Sequence, residues 1–170
     1  MKISRNAGAG TFKFKDVFFG FQKLNAVKEI FGDATPQILE ELKVEIFPRQ
    51  GYMGVSDEDG HVFASKHYLE SGEYWSVYLD AVHELVHVRQ FMEHKELFDE
   101  RYAYGDRPTE IEAYQVTTKE ARRIGLSEKE IFEYLKVPWM SNAEHLRLAK
   151  ACGVPLDRVA PPKKRASDKK

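Results

Sequence analysis

Tyr78-Leu79-Asp80-Ala81-Val82-His83-Glu84-Leu85-Val86-His87-Val88-Arg89-Gln90 decides how the rest of the chain is read. It contains His83-Glu84-x-x-His87, and on a helix residues four apart stand about one turn from each other on one face. Both imidazoles then point the same way. Glu84 lies about 100° round from His83, outside a shared ligand set but within reach of a water beside a metal ion. Two neutral nitrogen ligands and a separate carboxylate to accept a proton are the parts of a zinc hydrolase centre. The plainer reading makes His83 and His87 satisfied core histidines and Glu84 a solvated carboxylate. The surrounding apolar periodicity, with Trp75, Leu79, Val82 and Val86 at helical spacing, predicts a helix from about Gly72 to His94 that packs under a sheet.

That sheet is expected upstream. Phe12-Lys13-Phe14-Lys15 alternates and predicts an extended segment. Helices are expected from about Gly20 to Phe31 and from Pro36 to Leu42. Lys43-Val44-Glu45-Ile46-Phe47 alternates up to Pro48 and reads as a strand. Tyr52–Ser56 and His61–Ser65 flank Asp57-Glu58-Asp59-Gly60 and read as a β-hairpin, with a fourth strand near Lys66 to Leu69. The turn does not continue as a calcium loop, because Lys66 stands where that pattern needs a glutamate.

Downstream the pattern is helical. Thr109 is the expected N-cap of a helix from Glu110 to Ile124, which Gly125 stops. Ser127 with Glu130, and Ser141 with Glu144, have capping-box spacing for helices reaching Lys136 and Ala151. From Val154 onward the chain is rich in Pro and Lys and is expected to be disordered.

The chain has 170 residues, 42% hydrophobic and 31% charged, which suits one globular domain over residues 1–160. Net charge is −1, but the last ten residues hold five cations against Asp168. They form a basic tail, 161–170, of net +4 on a body of net −5. This balance argues against nucleic-acid binding except through that tail. Cys152 is the single cysteine, so a zinc site must use His, Glu or Asp. Neither a signal peptide nor an apolar run of about 20 residues is visible, so a cytoplasmic protein without a membrane span is the expectation.

Catalytic zinc usually has a third protein ligand. His94 departs from the extended three-histidine pattern, which needs glycine at Gln90 and histidine at Glu93. A glutamate on the next helix is better placed, since two helices in contact can bring three ligands to one point. Glu110 and Glu112 both qualify.

Here the chain resembles the gluzincin metallopeptidases, whose third ligand is a glutamate on a helix following H-E-x-x-H and is often followed by alanine. Glu112-Ala113 matches and Glu110 does not, so the resemblance favours Glu112. Among small gluzincins the ImmA/IrrE-like group is the most similar, though it has asparagine where this chain has Tyr114. The resemblance covers roughly residues 43–124. It implies an α+β, zincin-like fold, with a small, mostly antiparallel sheet of three to four strands on the H-E-x-x-H helix and a helical C-terminal half. It also implies a zinc metallopeptidase acting on a peptide or protein substrate. His83, His87 and Glu112 would be the metal ligands and Glu84 the general base. An edge strand from about Gly60 to Leu69 would align the peptide. Tyr102, Tyr104, Tyr114, His67 and His94 are candidate oxyanion donors, and Asp80 could orient an imidazole. A zincin-fold metal-binding or interaction module without proteolysis is the alternative, as is hydrolysis of a non-peptide amide. Glu84 favours catalysis, because a structural metal site has no need of it.

Overall fold

In the computed structural model, which describes residues 1–159, the chain begins with a short strand, β1 (Lys2–Ile3), and β2 (Gly10–Lys13). Then come α1 (Phe14–Val17), β3 (Phe18–Phe19), α2 (Asn25–Phe31) and α3 (Thr35–Glu41). Phe14, Phe18 and Phe21 are fully buried and pack ring on ring. Phe21 also meets Tyr78 at 5.6 Å between centroids, which seats this N-terminal layer on the central helix.

The alternating segment becomes β4 (Lys43–Phe47), with Val44 and Ile46 inward. The hairpin becomes β5 (Met53–Val55) and β6 (Val62–Ser65), paired antiparallel. Its turn requires Gly60, whose φ is +75° and whose missing Cβ leaves room for the ring of Phe91. The sheet order is β2-β4-β6-β5. β2 and β4 are antiparallel, whereas β4 and β6 are parallel because the hairpin folds β6 in between β4 and β5. β1 and β3 form a separate two-stranded ribbon. The architecture is therefore α+β with small sheets, the larger one mixed.

Two upstream expectations change. Lys66 to Leu69 is helical, the start of α4 (Lys66–Ser71), because the side chain of Ser65 accepts from Tyr68 N and caps a first turn. The edge of the sheet facing the central helix is β5, not residues 60–69, since β6 is enclosed on both sides. Arg5 reaches from the N-terminal segment to the carbonyls of Leu69 and Glu70, at 2.7 and 2.9 Å, satisfying the open end of α4.

The central helix is α5 (Tyr74–Met92). Its burial is wider than a single stripe: Val77, Leu79, Val82, Leu85, Val86 and Val88 are all buried, because α2, β5 and the next helix pack around it. His94, with φ of +59°, turns the chain out of it. After a loop comes α6 (Pro108–Arg123), with proline in its first turn and Arg107 rather than Thr109 as N-cap. The Thr109 hydroxyl instead donates to Leu97 O at 3.3 Å. Ser127 and Ser141 form complete capping boxes at the starts of α7 (Glu128–Tyr134) and α8 (Asn142–Ala151). Beyond Val154, where disorder is expected, Leu156–Val159 instead form a short helix, α9; the remainder of that expectation, including the tail 161–170, lies outside the described residues. Among the described residues no helix is long and apolar enough to cross a membrane.

Candidate metal centre

α5 and α6 pack against each other, and their contact brings three buried side chains to one point: His83, His87 and Glu110. His83 Nε2 and His87 Nε2 approach to 3.0 Å, and Glu110 Oε2 lies 3.3 Å from the first and 3.5 Å from the second. A tetrahedral zinc ion, with bonds of about 2.0–2.1 Å to nitrogen, needs its ligand atoms about 3.3 Å apart. The triangle has that size. Glu110 Oε2 is buried without a well-aligned hydrogen bond, so its lone pairs are uncommitted. The chemistry of the donor set fits zinc: two imidazoles and one carboxylate.

Glu112, favoured from the sequence, is not brought to this point. Its carboxylate accepts from Arg89 at 2.6 Å, Gln90 at 2.7 Å and Lys95 at 3.1 Å, on the outer side of the helix pair. Residues two apart on a helix diverge by about 200°, so only one of the two glutamates can face α5. The face that does so carries Ala113, Tyr114, Thr117 and Ala121, all buried. Glu110 belongs to that row by its spacing of three, four, seven and eleven. The buried row is the sequence signal for Glu110; the neighbouring alanine points to Glu112, which the packing turns away from the histidines.

The Gln90 amide locks one imidazole. It donates through Nε2 to Thr109 O at 3.0 Å and to Glu112, which leaves Oε1 to accept from His87 Nδ1 at 2.7 Å. With its proton on Nδ1, His87 presents the Nε2 lone pair to the triangle. The sequence reading gives Gln90 no role beyond a departure from the three-histidine pattern, although its position three residues after His87 places it on the same face. Asp80 does not orient His83, whose Nδ1 is buried without a partner. It accepts instead from the hydroxyls of Tyr68 and Tyr134, the latter at 2.8 Å.

The electrostatics favour a positive charge at the centre. Burial opposes ionisation of Glu110, but the facing imidazoles outweigh it and hold the carboxyl well below its usual range. His87 is shifted the other way, up to about 9, burial being overcome by Glu110. A divalent cation answers the same demand that these protons meet. Glu84 is different: burial pushes it up to about 7 against the pull of His83 and His87. It is a carboxyl poised near neutrality beside the triangle.

Two chambers open on this group. The larger, of about 540 Å³, and the smaller, of about 160 Å³, share Met53, His83, Glu84, Tyr104 and Trp139. Met53 belongs to β5, so the edge strand borders both. Of the candidate oxyanion donors, Tyr104 faces both chambers, and its hydroxyl lies 3.1 Å from that of Tyr114. The Tyr114 ring rests 4.4 Å from that of His83. Burial raises both phenols well above their ordinary range, Tyr114 and Glu110 adding to the effect on Tyr104, so each stays a protonated donor. Tyr102, His67 and His94 are exposed and line neither chamber. The sequence matches no protein-family model, no curated protein and no solved structure.

Proposed function

We propose that the chain is a zinc-dependent metallopeptidase of zincin-like fold, with His83, His87 and Glu110 as ligands and Glu84 as general base. The observation that carries this reading is the buried triangle of two imidazole nitrogens and one carboxylate oxygen, with Glu84 beside it facing the chambers. Bound zinc would supply Lewis acidity for a substrate carbonyl and acidify a water. Glu84 would accept a proton from the water that attacks the carbonyl carbon and deliver it to the departing amine nitrogen as the C–N bond breaks. A carboxyl near neutrality suits both halves of that transfer. Tyr104 donates its hydroxyl to the oxygen on which charge develops, and Tyr114 holds Tyr104 in place. An extended peptide lies along β5, whose outer edge has no strand beside it among the described residues.

Glu84 also separates this reading from a metal-binding module without catalysis. Such a module gains nothing from a buried carboxylate aimed into an open cleft. Zinc content and hydrolysis of a mixed peptide library, measured together, test the proposal. Wild type should hold about one zinc per chain and cleave peptides; Glu84→Gln should keep the metal and lose cleavage. A wild-type protein that stays zinc-free after exposure to the metal would sink the idea.

A further inference from the structure

The two chambers differ in chemistry as well as size. The smaller, besides the centre itself and the shared Tyr104 and Trp139, is walled mainly by Met53, Val55, Phe63, Leu97 and Phe98, and suits a compact apolar side chain. The larger has aromatic walls: Tyr52, Tyr68, Trp75, Tyr134 and Trp139. They lock edge to face, Tyr52 on Tyr68 and on Trp139, and Trp75 on Tyr134. Three carboxylates, from Glu73, Glu130 and Glu133, join this lining, all on exposed residues.

The charges there are unequally committed. Glu130 accepts from the backbone and hydroxyl of Ser127 and so belongs to the cap of α7. Lys136, a cation of the lining, donates to Met140 O at 2.6 Å and Asn142 Oδ1 at 3.1 Å. Among the described residues Glu133 has only a loose partner in Lys129, 3.9 Å away. Aromatic faces attract a cation along their length, and carboxylates at the rim receive its charged end. A neutral aromatic side chain would fill the walls but leave the carboxylates unanswered.

We propose that the larger chamber selects a cationic side chain, lysine or arginine, from the bound peptide, with Glu73 and Glu133 receiving its charge. The choice of a peptide as ligand rests on the function proposed above; the selection of a cation rests on the chamber. The chain has two tryptophans: Trp75 lines this chamber and not the smaller one, whereas Trp139 borders both, so intrinsic fluorescence follows binding in the cleft and a Trp139→Phe background leaves Trp75 to report this chamber.

The test uses zinc-loaded Glu84→Gln protein, titrated with alanine hexapeptides carrying one central lysine, norleucine or glutamate. The lysine peptide should bind on the order of 10-fold tighter than norleucine at low salt, and glutamate weakest. Added salt should shrink the preference. The double variant Glu73→Gln/Glu133→Gln, made in the same background, should bind lysine and norleucine alike. Equal binding of those two peptides before the double change, or a lysine preference that survives it, overturns the proposal. Cleavage of the same peptides by zinc-loaded wild type separates the two claims. Cleavage indifferent to lysine defeats the selection and leaves hydrolysis standing. Lysine-selective binding without cleavage upholds the chamber and defeats hydrolysis.

Discussion

Gln90 Nε2 donates to Glu112 Oε2 at 2.7 Å, and through the same amide His87 is held by its Nδ1 proton. Glu112 thus touches the centre only through a relay, whereas Glu110 enters it directly. Alanine at the two positions should separate these roles. Glu110→Ala should remove a ligand and abolish tight zinc binding. Glu112→Ala and Gln90→Ala should each weaken it by about 10- to 100-fold, the range for partners that orient a ligand. Competition against a chelator of known affinity measures all three. A larger loss for Glu112→Ala than for Glu110→Ala would restore Glu112 as the ligand.

Tyr104→Phe should reduce kcat by on the order of 100-fold while leaving zinc stoichiometry unchanged, because the hydroxyl is needed only where charge develops. Tyr114→Phe should cost less, since it removes only the neighbour of that hydroxyl. Steady-state kinetics on one peptide, with zinc content measured alongside, compares them.

Much of this centre was legible in the sequence, for a definite reason. Helical spacing is rigid, so His83, Glu84 and His87 had one arrangement available once the apolar stripe predicted a helix. The third member of the triangle lies on another helix, and its identity depends on how α6 is rotated about its axis. That rotation is set by packing: Ala113, Thr117 and Ala121 sink against α5 and carry Glu110 with them. Glu112-Ala113 is a local pair and holds no information about rotation. The strand expected at Lys66 failed similarly, because Ser65 captures Tyr68 N and starts a helix before a ladder can extend.

The proposed hydrolysis should follow the ionisation of Glu84 with pH. Burial raises its carboxyl to about 7, and a cation at the triangle stabilises the ionised form and lowers it. The base works only when deprotonated. In the zinc-loaded protein kcat/KM should therefore rise with pH along an acid limb whose midpoint lies between the ordinary carboxyl value and 7. A pH–rate profile at constant ionic strength would show it, and an acid limb centred well above 7 would remove Glu84 from the role.

Away from the centre, His145 couples stability to acidity. It is buried, and its ring Nε2 donates to Phe132 O at 2.7 Å. Burial lowers its pKa below 6.5, with the Phe132 carbonyl opposing and Lys136 assisting. The unfolded chain then binds the proton more readily than the folded one. Stability from this group is present above about pH 6.5 and is lost as pH falls through the folded value. Between pH 7.5 and 5.5 the zinc-free wild type should lose more of its urea midpoint than His145→Gln, which keeps a donor for the carbonyl without the titration.

Asp80 bears on what can enter the cleft. Tyr68 comes to it from α4, at the end of the sheet, and Tyr134 from α7, in the helical half, while Asp80 itself sits one turn before His83 and Glu84. Two phenol rings joined at one carboxylate span the gap between the two halves of the protein. The bore of the larger chamber is thereby gauged by covalent lengths rather than by the give of loops. A guest is measured for girth before its charge is felt, and one too broad must part a phenol from Asp80, baring a second carboxylate beside Glu84.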